Sequence, residues 1–270
     1  MALPRRLRDA AQPLNRNAPL CQGISAWWSN TPSFSGGANV RSLHGFANTL
    51  PLAGAATIAS MYKKSVKPGV PLASRYGDYN FTSDSDRLEG SSLANASGLT
   101  NTLALWMRID TFAAFGWIIF GSAAAVWQLT GTLIYVAAFG SGSITATTSA
   151  DSVWRHYVFV SGGGTTQAYI NGAQVGGNGG NGTASIPAGA KTWTIGDYTT
   201  TPGGSWSGTG AMQDIIYWGG RAFTATEAAR VYQEALLGYP TMWTWANRLP
   251  KAPQPAAAGG NQTKYFFFFG

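Results

Sequence analysis

Between Thr111 and Ala150 the chain carries no charged side chain for forty residues, and Phe112 to Trp127 is mostly apolar. A stretch of that kind is either a membrane span or a run of buried strands. Gly116, Gly121, Gly131, Gly140 and Gly142, with Gln128 and Thr residues between them, cut it into pieces of strand length: Trp117 to Phe120, Val126 to Leu129 and Leu133 to Phe139. A continuous spanning helix would need about twenty apolar residues without such breaks, so the expectation is strands.

The rest of the body repeats this pattern. Leu103 to Ile109 alternates around Trp106, and Trp154 to Val160, Thr166 to Ile170, Thr192 to Ile195 and Asp214 to Trp218 are short runs rich in β-branched and aromatic residues. Asn171-Gly172 closes one run and opens another, the strongest hairpin signal in the chain, because both central residues of a type I′ turn need positive φ. One helix is written plainly. Thr224 and Glu227 have the spacing of a capping box, and Ala228, Val231, Tyr232, Ala235 and Leu236 then share a face until Gly238 and Pro240 end it. Charged residues make up only 11% of the 270, against about 25% in an average domain, and 35 are Gly. That balance excludes a helical bundle and suits many short antiparallel strands.

The order LALWMRID (103–110), IIFGS (118–122), VWQLTGTLIYVAAF (126–139), WRHYVFV (154–160), AYING (168–172), WTIG (193–196), MQDIIYW (212–218) and FTATEAARVY (223–232) resembles the laminin-G-like, concanavalin A-like jelly roll. The resemblance covers about residues 76 to 238. It implies an all-β fold, an antiparallel β-sandwich of two sheets with one short C-terminal helix, and a family whose members mostly bind carbohydrate, protein or cell-surface ligands. The chain then divides into a basic extended N-terminal arm (1–75), the sandwich (76–248) and a Pro/Ala linker with an aromatic tail (249–270).

Charge follows the same division. Residues 1–75 hold nine Lys or Arg against Asp9 alone, whereas residues 76–250 hold seven against ten acids. Arg5, Arg6, Arg8 and Arg16 are therefore expected to dock on an acidic partner surface. Nucleic acid is not the expected partner, because no aromatic stacking platform or Gly-rich recognition motif accompanies these arginines. At the other end Tyr265, Phe266, Phe267, Phe268 and Phe269 form an oily tail that needs a cover, expected from a neighbouring subunit, with folding back on the chain's own sandwich as the alternative.

Catalytic patterns are scarce. The paired carboxylates of a glycan hydrolase have no matching E-x-D-x-x-E or E-x-x-x-E spacing, and His44, His156 and Cys21 lack partners at ligand or nucleophile spacing. A single cysteine rules out a disulfide scaffold. Trp206, in the Gly-rich segment PGGSWSGTG, with Asp197 and Tyr198, is the candidate ligand-binding group, since an exposed aromatic can stack on a sugar. The resemblance also implies calcium near Asp197 and Asp214; a hard cation needs six or more oxygens and only scattered acids are on offer, so no cofactor is expected and calcium stays open. Trp106, Trp154, Tyr157, Phe159, Tyr169, Trp193 and Tyr217 sit at strand-central or alternate positions and are expected to fill the core.

No apolar signal segment follows Met1 to Pro19, which favours synthesis in a cytoplasm. The plan of basic arm, lectin-like sandwich and oily tail, together with the opening R-R-L, P-L and G-I-S-A-W-W, resembles structural proteins of tailed bacteriophages. That resemblance implies a virion component (head decoration, fibre or appendage), localised to the virion, oligomeric and without enzymatic activity. A stand-alone lectin, or less readily a glycan hydrolase, is the alternative.

Overall fold

In the computed structural model the residues described are 15, 17–28, 100–112, 116–122, 125–138, 141–162, 164–180, 192–196, 208–237, 239 and 241–242, with the strand segments 35–36, 39–41, 49–53, 62–63, 78–81 and 87–91. Among them a 3-10 turn, Pro19–Cys21, is followed by strands β1 (Ile24–Trp28), β2 (Ser35–Gly36), β3 (Asn39–Arg41), β4 (Thr49–Ala53), β5 (Tyr62–Lys63), β6 (Asp78–Phe81), β7 (Arg87–Ser91), β8 (Asn101–Ile109) and β9 (Trp117–Ser122). Next come β10 (Ala125–Leu129), β11 (Leu133–Ala138), β12 (Ser141–Thr145), β13 (Trp154–Gly162), β14 (Thr165–Ile170), β15 (Ala173–Gly180), β16 (Thr192–Ile195) and β17 (Gly210–Gly219), and then helix α1 (Ala225–Leu236).

One sheet runs β15-β14-β13-β8-β17-β6-β5, with β1 also on β17; the other runs β12-β11-β10-β9-β16-β7-β4-β3-β2. Every pairing among the described residues is antiparallel. The charge-free stretch supplies β9 to β12 as strands of one sheet, and among the described residues no helix is long and apolar enough to cross a membrane.

Alternation along the central strands separates two hydrophobic cores. Leu103, Leu105, Met107 and Ile109 of β8, with Tyr157 and Phe159 of β13, face the second sheet and meet Leu129, Ile134, Ile144 and Ile195. Their neighbours Ala104, Trp106, Val158 and Val160 point the other way, onto Ala228, Val231 and Ala235 of α1 and onto Leu20, Ile24 and Trp27. The fold is thus sheet on sheet, with a third layer made of the helix and the N-terminal segment.

Local signals translate directly. Asn171 and Gly172 have φ of 51° and 81°, as a type I′ turn requires. A Cβ on Gly172 would stand 2.8 Å from the Tyr232 ring, so the turn needs glycine for space as well as for conformation. Thr224 caps α1, with the reciprocal Glu227 contact in place.

Within residues 1–75, expected as an extended arm, the described residues include β1 to β5, all paired within the sheets. β17 exposes a long edge; β6 takes its first half at Gly210 to Met212 and β1 its second half at Ile215 to Trp218. Trp27 is fully buried there, the Trp218 indole donates to Leu20 O at 2.8 Å, and Arg221 donates to Pro19 O and Gln22 O at 2.7 Å each. Asp214 does not open its strand. It lies in mid-strand with φ +48°, where Asp214 and Ile215 together oppose Leu105 in a β-bulge. The extra residue shifts the alternation, so that Met212 and Ile215 both face the inter-sheet core.

Candidate functional site

The β13-β14 hairpin decides which side chains reach the helix side of the first sheet. In β14, Thr166 and Ala168 are buried on one face, while Thr165, Gln167 and Tyr169, the last also buried, alternate with them on the face toward the start of α1. Gln174 of β15 pairs across from Tyr169. Gln167, Tyr169 and Gln174, with Val160, Gly162 and Thr165, form one side of a cleft of about 420 Å³, and Ala222 to Ala225 form the other. Gly162 lets the Ala222 loop approach, since a Cβ there would stand 2.6 Å from Ala222 Cβ.

Hydrogen bonds order the polar side of the cleft. Tyr169 Oη donates to Gln167 Oε1 at 2.8 Å. Gln167 Nε2 and Gln174 Nε2 both donate to Asn178 Oδ1, at 3.2 and 3.0 Å. Burial raises the Tyr169 phenol above its ordinary range, keeping it a neutral donor. At the opposite wall the Glu227 carboxylate accepts from Thr224 N at 2.9 Å and Thr224 Oγ1 at 3.1 Å and pairs with Arg221. Burial works to raise that carboxyl, but the Thr224 amide and Arg221 hold it below its usual value. The positive end of α1 is therefore already met by the chain's own carboxylate.

The remaining reactive groups lie elsewhere. His156 is fully buried between Trp106 and Tyr232, at ring-centroid distances of 5.2 and 5.8 Å, and burial pushes its pKa down to about 3. Burial, with Glu234 nearby, pushes the Cys21 thiol up to about 12, so it is no nucleophile at neutral pH; its Sγ lies 3.4 Å from Met242 O. Hydrogen bonds from Arg155 at 2.7 and 2.6 Å pull the Asp151 carboxyl down to about 2 at the surface.

Of the residues singled out from sequence, Trp206, Tyr198, Asp197, Arg5, Arg6, Arg8, Arg16, His44 and Tyr265 to Phe269 lie outside the described residues. Asp214 is buried in its bulge, and among the described residues no group of three or more His, Cys, Asp or Glu is placed to hold a metal ion. Trp106, Trp154, Tyr157, Phe159, Tyr169 and Tyr217 are buried in the two cores. The amides Gln167, Gln174 and Asn178 escaped the sequence reading. The polar alternation of TTQAYI signals Gln167 on one face of a two-faced strand, but neither Gln174 and Asn178 of the next strand nor the helix N-terminus that stands across from that face.

Two face-to-face antiparallel sheets closed by a C-terminal helix define a concanavalin A-like β-sandwich. The chain belongs to the laminin-G-like family described as the concanavalin A-like lectin/glucanases superfamily, which it matches over residues 81–229. No curated protein sequence matches it. Among solved structures it is similar to botulinum neurotoxin type C, whose cell entry depends on interaction with two ganglioside molecules, at 11% identity and TM-score 0.58 over 81% of this chain and 53% of that one. It is also similar to the binding domain of Paraclostridial Mosquitocidal Protein 1, at 9% identity and TM-score 0.58 over 79% of this chain and 52% of that one. Domain 4 of AbnA, a GH43 extracellular arabinanase of Geobacillus stearothermophilus in complex with arabinotriose, matches at 15% identity and TM-score 0.50, covering 78% of this chain and 98% of that one. The chain spans about half the length of the two toxin structures, and at these identities the likeness is one of fold.

Proposed function

We propose that this protein is a non-enzymatic carbohydrate-binding sandwich that serves as a structural component of a virion, as a head decoration, fibre or appendage subunit. The observation that carries the binding half is the cleft of about 420 Å³ with amides on one side, built on β13 to β15. Amide groups that both donate and accept suit vicinal hydroxyls, and a rigid sheet holds them in register. Binding domains of two toxins and an arabinotriose-bound domain share the fold, which supports a recognition role.

The virion half is supported by the plan of the chain. Nine Lys or Arg against one acid in residues 1–75, and Tyr265 to Phe269 at the far end, suit attachment to other assembly subunits, as a homo-oligomer made in the host cytoplasm and carried in the particle. A glycan array probed with the full chain, polysaccharide turnover assays, and sedimentation of the protein from its native source test the three parts. Array binding without turnover, and recovery in a large particle, is the expected result. Array binding by a protein recovered only as a small free species would make it a stand-alone lectin. Turnover of a polysaccharide would replace the reading with that of an enzyme domain, the setting in which the arabinanase relative occurs.

A further inference from the structure

We propose that the cleft between β14, β15 and the N-terminus of α1 is the saccharide site and that it selects neutral sugars, a deepening that rests on the carbohydrate-binding reading above. Its volume of about 420 Å³ lies in the range of about 300–1,000 Å³ typical of small-ligand sites. Selectivity follows from what its two sides present.

On the sheet side, an amide chain is committed to itself in only one direction. Tyr169 gives its proton to Gln167 Oε1, and Gln167 and Gln174 each give one N–H to Asn178 Oδ1. Each glutamine NH₂ keeps a second hydrogen, Asn178 keeps its own NH₂, and Gln174 Oε1 remains an acceptor. Gln174 and Asn178 are exposed and Gln167 is half-buried, so these groups can turn to a ligand. Donors and an acceptor alternating across neighbouring strands match a pair of adjacent sugar hydroxyls, each of which both gives and takes a hydrogen bond.

On the helix side, a free N-terminus would favour an anion. Here Glu227 occupies Thr224 N and is itself neutralised by Arg221, and none of the residues lining the cleft is charged. A carboxylate or sulfate on the ligand would meet no counter-charge and would stand near Glu227. A neutral mono- or disaccharide fits; a sialylated or sulfated one does not.

The test is isothermal titration of the full chain with lactose, N-acetyllactosamine, maltose, cellobiose and arabinobiose, and with sialyllactose as the anionic counterpart, at low and high salt. The proteins compared are the wild type, the double variant Gln167→Ala/Gln174→Ala and the surface control Thr147→Ala. Both glutamines lie outside the buried core, and matching circular dichroism and melting curves verify the folds. At least one neutral disaccharide is expected to bind with an affinity insensitive to salt, to weaken at least tenfold in the double variant and to be unchanged in the control. Undiminished binding by the double variant overturns the assignment of the site while leaving the carbohydrate-binding reading intact. Binding of sialyllactose alone overturns the selectivity in the same way. A wild type that binds no sugar here and none on the array overturns both.

Discussion

Replacing His156 by leucine should flatten the dependence of stability on pH in the range where an ordinary histidine titrates. The imidazole is fully buried between Trp106 and Tyr232, and neither ring nitrogen has a hydrogen-bond partner. In the unfolded chain it takes a proton near pH 6.5; in the folded protein desolvation holds that event near pH 3. Between those values the unfolded state binds the extra proton, so stability falls as pH falls, with a limiting slope of about 1.4 kcal/mol per pH unit. From pH 6.5 to 4.5 the loss comes to about 2 kcal/mol, a large part of the roughly 5–15 kcal/mol that holds a domain folded. Asp151 and Glu227, both held below their usual values, add losses as the pH falls through about 4 to 4.5, and because the two proteins share both carboxyls, the difference between them isolates the histidine. Urea unfolding of wild type and His156→Leu at pH 7, 6, 5 and 4.5 measures the difference. The variant should be close to wild type or slightly more stable at pH 7, since it removes buried polar atoms without partners, and should lose about 2 kcal/mol less on acidification. Equal slopes for the two proteins would refute the reasoning, showing that the buried ring reaches water or a partner before global unfolding.

Trp27→Ala should cost about 3–5 kcal/mol, because the indole is fully buried against Tyr239 at 4.9 Å; a loss under about 1 kcal/mol in denaturant unfolding would mean that β1 is not bound to β17 in solution. Arg221→Met removes the hydrogen bonds to Pro19 O and Gln22 O and the pair with Glu227, and should cost about 1–3 kcal/mol and expose residues 17–28 to faster hydrogen exchange; unaltered exchange there would count against Arg221 as the clasp. Thr224→Ala strips the helix cap and should lower stability by about 1 kcal/mol without affecting the first sheet, as thermal melts can check. Chelation with EDTA should leave the melting temperature within about 1 °C of the untreated protein, since buried Asp214 has no ligand cluster around it among the described residues; a larger drop would reinstate calcium.

Much of this architecture was legible without coordinates because its determinants are local. The period-two alternation of Leu103 to Ile109, the positive-φ pair Asn171-Gly172 and the Thr224/Glu227 box each act within a few residues, and the strands, turn and helix stand where those signals place them. Within the charge-free stretch Gly116 precedes β9 and Gly131 sits between β10 and β11, whereas Gly121 and Gly142 lie inside β9 and β12. What needed tertiary structure were features set by partners far along the chain. Ile24 to Trp28 has the same composition whether it is an arm or a sheet strand; the open edge of β17, with the Trp218 to Leu20 bond nearly two hundred residues away in sequence, makes it a strand. The bulge at Asp214 arises because β17 must serve β8 on one side and two different strands on the other. The cleft needs β14, β15 and the start of α1 together, and no run of neighbouring residues records that meeting. Local propensity acts over a turn or a pleat, whereas an edge, a bulge or a cleft exists only once distant segments share a surface.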